Sequence, residues 1–555
     1  GRHEVGVLQS EVAGNLVEVC PTGVFTDATL VNEYTRIWDL QSAPSICTGC
    51  AVGCNTLPGE RYGKLKRVHN RFNAEVNGYF LCDRGRFGAG FVNGAKRLRF
   101  PGLRGADGRS EALDHHDALR HMAHACRQGK LAGIGSPRAS LEANYLLREL
   151  VGSDNFCPGF NSDEQALVGR ARELLRDTPA AVPDIRAIEA ADAVFILGED
   201  LTNTAPRIAL ALRQSVRNRA YEMAADLRLE TWQDAAIRNL AQDQRSPLYI
   251  AAAADTPLDD VATECFHLAP QDIARLGLEV AEAVDDFGAG EDPAAAAQAI
   301  SAALMAAQRP LIVSGTGSGD IDVMNAAASL ASTLCAAGKQ GMLCLAVPEA
   351  NSLGQALLSG ADAPNLAQLG ERVEAAQIDT LVVLENDLYH RAPEAEVDAL
   401  LGGLQRLIVL DGLDNRTTSA SSLALPAASF AESEGTLVNL EGRAQRHFPV
   451  FTPADERRAS WIWLLACMKE MGNAAVAELH HFDDVTAACA AACPVLAGIT
   501  GAAPDHHFRN AGVKIPRQPH RYSGRTAMRA DVSVHEPKQP ADEESPLAFS
   551  MEGLN

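Results

Sequence analysis

Between about residues 101 and 475, short apolar runs alternate with longer segments in which Ala, Leu and Arg recur at helical spacing. The runs Leu131–Gly135, Ala193–Gly198, Leu248–Ala252, Pro310–Ser314, Met342–Val347, Thr380–Glu385 and Leu407–Asp411 are predicted strands. Ser140–Val151, Ile208–Glu222 and Ala294–Ala307 are predicted helices between them. Strands that alternate with helices imply right-handed crossovers and parallel sheets. The expected fold class is therefore α/β, with Rossmann-like domains in two or more layers. Residues 41–100 break this rhythm: they are rich in Gly, Asn and Arg, with few long apolar runs. Residues 1–40 read as the remnant of a further module. From about 476 the chain turns irregular, and within this 476–555 extension residues 521–555 are expected to form an extended arm on a neighbour or to stay disordered.

Residues 41–100 carry the clearest chemical signal. Cys47, Cys50, Cys54 and Cys82 form a C-x2-C-x3-C-x27-C array. Three thiolates within eight residues can close round one corner of a compact inorganic core, and a fourth arrives from a separate turn. Thiolates are the ligands that iron–sulfur clusters require, four per cubane. Four thiolates can also hold structural zinc, although such sites usually come as two C-x2-C pairs. A [4Fe–4S] cluster and a zinc ion both stay open on spacing alone, and either would supply folding free energy to a module of this size.

Length and composition narrow the function classes. At ~150 residues per domain, 555 residues suggest three or four units. A formal net charge of −22 argues against a nucleic-acid partner, which needs a basic face. The basic stretch 61–71, with Arg84, Arg86, Lys96, Arg97 and Arg99, surrounds the array in sequence. Cations there would favour the reduced, more anionic form of a cluster; a solvated basic loop is the plainer alternative. The cysteines number thirteen and most are scattered in apolar surroundings, which fits buried thiols in a reducing compartment. Cys489 and Cys493 share a face if their segment is helical and read as core packing. His69, His115, His116, His121 and His124 lie near one another without a ligand set and read as surface or packing residues. No run of about 20 uncharged apolar residues exists to insert into a membrane. No signal peptide is evident. The opening Gly-Arg-His-Glu lacks an initiator Met and suggests the interior of a longer polypeptide.

Ligands of open parallel sheets bind at the carboxyl ends of strands. Three such ends are informative: Gly198-Glu199-Asp200, Ser314-Gly315-Thr316-Gly317-Ser318-Gly319-Asp320 and Glu385-Asn386-Asp387. The second could cradle a phosphate, but it lacks the last glycine of G-x-G-x-x-G and ends in Asp. The first and third place carboxylates where a pyrophosphate would sit. Near the start, Cys20 directly precedes Pro21, as the last ligand does in bacterial ferredoxin runs.

LVEVCPTGVFTD (16–27), SAPSICTGCAVGCN (42–55), PGERYG (58–63) and YFLCDRGRFG (79–88) resemble the G-subunit family of bacterial NADH-quinone oxidoreductase, respiratory complex I. The resemblance continues through IGSPRAS (134–140), LGEDLTNTAPRIALALRQ (197–214), VVLENDLYHR (382–391) and SLALPAASFAESEGTLVNLEGRAQR (422–446). It ends in PHRYSGRTAMRA (519–530), SVHEP (533–537) and FSMEG (549–553). It implies an iron–sulfur electron-transfer and scaffold subunit with no catalytic residues of its own. Cys47, Cys50, Cys54 and Cys82 would hold one [4Fe–4S] cluster off the main electron path. Cys20 would be the last ligand of a second, on that path, whose other ligands lie elsewhere. A [2Fe–2S] centre would belong to a segment that is not in this sequence. The implied partners are the flavin-bearing NADH-oxidising subunits and the quinone-side cluster subunits, peripheral on the cytoplasmic side of the inner membrane. The α/β region resembles the molybdopterin oxidoreductase fold of formate dehydrogenases.

That wider superfamily supplies the alternative, a molybdopterin-dependent enzyme of the formate dehydrogenase type. Such enzymes usually carry Lys two residues after the fourth cysteine, where this chain has Arg84. They need a metal ligand in the segment corresponding to Asn155–Asn161, where Cys157 is the only soft side chain. That mismatch and the acidic strand ends speak against a bound molybdopterin.

Overall fold

The computed structural model describes residues 10–36, 39–105, 110–285 and 295–505. The expected arm over 521–555 and the motifs quoted from 519 to 553 lie outside them.

Two open sheets carry the α/β body. The five-stranded sheet runs in the order Glu264–His267, Leu248–Ala252, Ala193–Leu197, Pro310–Gly315, Met342–Ala346, and every pairing is parallel. The seven-stranded sheet runs Ser110–Ala112, Gly102–Arg104, Leu423–Pro426, Arg406–Asp411, Thr380–Leu384, Leu131–Ile134, Phe156–Cys157. Its last five strands are parallel, and the first two form an antiparallel edge. The chain builds both edges of the larger sheet, leaves to make the whole smaller sheet, and returns at Thr380 to fill the middle with three strands. All seven predicted strands are present, with ends within one residue of expectation. Each reads as an unbroken apolar run because both of its faces are covered: Phe195, Leu197, Leu311, Val313 and Val383 are fully buried.

Local signals place the helices. Ser140 accepts from the Ala143 N–H and opens Leu141–Val151; Asn161 does the same for Ser162–Asp177 through Glu164. The helix expected over Ile208–Glu222 is two helices, Pro206–Ser215 and Asn218–Asp226. The break falls where the Asn218 side chain donates to the carbonyls of Glu189 and Ala191, both at 2.9 Å. Within the region after 476, the described residues up to 505 are more ordered than their composition suggests. Phe482–Ala492 is a helix whose Val485 and Cys489 are fully buried, and Cys493 closes it.

The cysteine-rich segment forms an antiparallel sheet of Gln41–Ser42, Ser45–Ile46, Asn55–Arg61 and Lys64–Asn70. Cys47, Cys50 and Cys54 belong to the same apolar core as the five-stranded sheet, so the module packs directly on the α/β body.

Candidate metal centre

The first three cysteines sit on one connection. Ser45–Ile46 leads into Cys47, Cys54 hands over to Asn55–Arg61, and the Cys47 N–H donates to the Cys54 carbonyl at 2.8 Å, closing the loop. Gly53 makes this possible with a left-handed φ of 67°, a conformation that costs a side-chain-bearing residue about 1 kcal/mol or more. The hairpin Gly435–Val438/Ala444–His447 then clamps the loop from outside. The Leu440 N–H donates to Ala51 O at 2.9 Å, Asn439 Nδ2 to Val52 O at 3.2 Å and Gln445 Nε2 to Gly53 O at 2.8 Å. Three consecutive carbonyls are thereby turned away from the sulfurs.

Cys82 precedes the short helix Asp83–Phe87 in an extended conformation, φ −71° and ψ 160°. Backbone N–H groups face the sulfurs: Gly49 donates to Cys47 Sγ at 3.4 Å, Val52 to Cys50, and Gly85 and Arg84 to Cys82. A Cβ on Gly85 would stand 2.9 Å from Cys47 Sγ and 2.8 Å from Leu81 Cδ1, so only glycine leaves room there. A cavity of about 110 Å³ opens beside Cys47, between Thr48–Gly49, Arg84–Gly85 and the rings of Phe91 and Phe430.

All four cysteines are buried and free of disulfides. Burial pushes the Cys50 thiol up to about 11 and raises Cys47, Cys54 and Cys82; the neighbouring sulfurs push Cys47, Cys50 and Cys54 the same way. Such thiols give up their protons only to a metal, and binding therefore releases protons. Four sulfurs with amide donors aimed at them suit an anionic sulfur-bridged core. Spacing points the same way. Among the described residues, Asp255, Asp259 and His267 are the one set of three potential ligand atoms all within 4.8 Å of one another, and no trio from the array qualifies. Thiolates on a single zinc ion, each about 2.3 Å away, would stand roughly 3.8 Å apart. The array is open to a larger core.

Of the basic residues around it, Arg84 acts on Cys47, Cys50 and Cys82 and donates to Gly49 O at 3.4 Å and to Asn203 O. Arg86 and Arg97 do not serve the array as expected, because each is spent on a carboxylate. Arg86 is buried against Glu18, and Arg97 donates to Glu432. Arg207, which sequence reasoning missed, is 2% exposed and acts on Cys54. Its Nε donates to Asn77 O at 2.8 Å and its guanidinium pairs with Glu189. It lies in the segment 197–214 that carries the family resemblance, which was its only signal.

Cys20 stands apart from the four. The N–H groups of Phe25, Thr22 and Val24 and the Thr22 hydroxyl turn towards its thiol and hold it down at about 7. The helix Gly14–Glu18 just before it is pinned to the segment that carries Cys82 into the helix Asp83–Phe87. Gly14 N donates to Asp83 Oδ1 at 2.7 Å, Asn15 Nδ2 to Leu81 O at 2.9 Å, and Leu81 N to Asn15 Oδ1 at 3.1 Å. His69 belongs to this contact through Glu18, 3.4 Å away, and His115 stacks on Trp463 with ring centroids 4.6 Å apart.

The strand ends of the α/β body hold carboxylates. The Gly-rich turn after Pro310–Gly315 wraps round the side chain of Glu199. The Gly317 N–H donates to Glu199 Oε2 at 2.9 Å, and Cβ atoms on Gly315 or Gly317 would meet its carboxylate at 2.5 to 2.7 Å. Burial raises Glu199 above the usual carboxylate range. At the larger sheet, burial pushes Glu385 up to about 7 and raises Asp411 beside it, and the Ser460 hydroxyl donates to Glu385. Cys157 is fully buried in its strand, its thiol pushed up to about 12 by burial.

An Fe–S module seated on open parallel sheets is the molybdopterin oxidoreductase fold. The family of the molybdopterin oxidoreductase Fe4S4 domain matches residues 40–94, and the molybdopterin oxidoreductase family matches 280–469. The fold is shared with acetylene hydratase from Pelobacter acetylenicus at a TM-score of 0.57 and 11% identity, over 80% of this chain and 71% of that one. Within this class the chain is related along its whole length to the G-subunit family of NADH-quinone oxidoreductase. It is 52% identical to the Pseudomonas putida protein and 45% identical to that of Escherichia coli K12, over 100% of this chain in each case. It spans 62% of the length of these relatives.

Proposed function

We propose that this chain is the electron-transfer and scaffold part of an iron–sulfur subunit in the peripheral arm of an NADH:quinone oxidoreductase. The observation that carries the reading is the array itself: four buried cysteines with backbone N–H groups on their sulfurs, in a segment matched by an Fe4S4 family. Cys47, Cys50, Cys54 and Cys82 are the ligands of one [4Fe–4S] cluster, which supplies a one-electron redox centre. The polypeptide sets its potential through burial, the amide donors at Gly49, Val52, Arg84 and Gly85, and the cations Arg84 and Arg207. Cys20, with its amide-lined thiol, contributes one ligand to a second [4Fe–4S] cluster completed outside this chain, and a [2Fe–2S] centre belongs outside it as well.

Proton chemistry and substrate binding are assigned to other subunits, and no residue here acts as acid or base. The residues at the strand ends do not fit a molybdopterin. The buried carboxylates Glu199, Glu385 and Asp411 take the places that its anionic groups would need, and Cys157 is enclosed in the core. The partners are the flavin-bearing NADH-oxidising subunits and the quinone-side cluster subunits, on the cytoplasmic side of the membrane. Exposed apolar side chains concentrated in the first hundred residues, among them Val19, Val24, Val31, Tyr34 and Tyr79, support covering by such neighbours.

The test is spectroscopic. The anaerobically isolated chain is expected to contain iron and sulfide and, on reduction, to give one [4Fe–4S] paramagnetic signal that disappears in Cys50→Ala and survives Cys20→Ala. A signal that persists in Cys50→Ala refutes the ligand assignment, and molybdenum with a releasable pterin refutes the relay reading.

A further inference from the structure

The edge of the five-stranded sheet carries a second set of metal-ligating side chains, about which the electron-transfer reading says nothing. After the strand Leu248–Ala252 the chain loops through Asp255 and a single turn at Asp259–Val261, then returns as the edge strand Glu264–His267. This connection brings three ligand atoms together. His267 Nε2 lies 3.1 Å from Asp255 Oδ1 and 3.7 Å from Asp259 Oδ2. All three lie within 4.8 Å of one another, the only such trio among the described residues.

We propose that Asp255, Asp259 and His267 form a binding site for a divalent transition ion of the zinc type. Three N and O ligands at about 2.1 Å from a tetrahedral ion stand roughly 3.4 Å apart, and the two measured separations fall on either side of that value. One imidazole with two carboxylates suits zinc, cobalt or manganese better than a soft ion. The ligands are also oriented as a metal site requires. The Thr256 hydroxyl donates to Asp259 Oδ1 at 2.7 Å and leaves Oδ2 turned towards His267. Cys265, two residues before His267 and so on the same side of its strand, hydrogen-bonds to Asp259 as well. Such supporting contacts fix the orientation of ligands around an ion. Asp255 and His267 are both exposed and Asp259 is half-buried, so a fourth position stays open to water. An ion here ties the connecting loop to the end of the edge strand.

The experiment uses the intact chain, isolated anaerobically so that iron occupies the cysteine array, and titrates it with Zn²⁺ against a chromophoric chelator. Wild type is expected to take one equivalent with a micromolar or lower Kd. His267→Ala should weaken that equivalent at least tenfold, and the surface variant Asp255→Asn should weaken it with folding and iron content unchanged. Co²⁺ in place of Zn²⁺ should give visible d–d bands without sulfur charge transfer. Equal binding by wild type and both variants, or no binding below millimolar Zn²⁺, overturns the proposal and leaves His267 in an ordinary surface ion pair. Neither result bears on the cluster, whose signal is read separately.

Discussion

Gly85 shows how one missing side chain governs the cluster site. Its hydrogen faces Cys47 Sγ at a distance where a methyl group cannot fit, next to Leu81 in the core. Gly85→Ala is therefore expected to lower iron content severalfold in anaerobically purified protein. Gly88→Ala, whose new atom would meet only Arg84 Cγ at 3.8 Å, should leave it unchanged. Unaltered iron content in Gly85→Ala would show that the sulfurs sit elsewhere when loaded. Glu385 makes a second prediction at this scale. Burial lifts its folded pKa to about 7 from an ordinary 4.5, so the folded state binds the extra proton between those values. Its contribution is fully present below about pH 4.5 and is lost as pH rises through about 7. Glu385→Gln should remove this pH dependence and stabilise the protein above pH 7 by roughly 1–3 kcal/mol. Urea midpoints from pH 5 to 8 report it; parallel wild-type and variant curves would contradict it.

Among the elements, the parallel strands were the most legible part of the sequence, since burial on both faces writes them as continuous apolar runs. What escaped were strands whose surroundings do not select such residues. Ser110–Ala112 is exposed throughout, Phe156–Cys157 is only two residues long, and Glu264–His267 has no fully buried residue. The ligand cysteines were legible because metal chemistry fixes residue type and local spacing. Their supports were not, because Asn439, Gln445 and Arg207 reach them only through folding over more than a hundred residues. The helix Gly14–Glu18 belongs to this second kind. Burial works against the charge of Glu18, but hydrogen bonds from His69, Arg86 and Asn70 N–H outweigh it and hold its pKa at about 2. That support is present above about pH 4.5 and fades as pH falls towards 2. Glu18→Gln should speed hydrogen exchange at the Leu81 amide about tenfold at pH 7, or ~1.4 kcal/mol, with a smaller difference at pH 3. Identical exchange in the two proteins would show that the helix is held by its other contacts alone.

At the scale of the molecule, the cysteine module and the α/β body share one core but draw on different sources of stability. The central strands of the five-stranded sheet are completely buried, whereas the module holds four buried thiols that need a partner. Removing iron with a chelator under reducing conditions should make residues 41–100 sensitive to proteases while the five-stranded sheet stays resistant. Limited proteolysis with mass spectrometry distinguishes this from global unfolding; uniform cleavage along the chain would mean that the cluster supports the whole fold. The nesting of the smaller sheet within the larger was not legible at all, because strand order is decided by packing between segments far apart in sequence.

Glu199 has a consequence for what this scaffold could become. Its carboxylate occupies the Gly-rich turn as a tethered counterfeit of a phosphate, so the Gly317 amide is already satisfied and a free anion seeking it meets a covalently attached competitor. The plug in this turn is a single side chain. Shortening it to alanine would leave Gly317 N–H unclaimed at the carboxyl edge of a parallel sheet, a vacancy that inorganic phosphate or sulfate could fill.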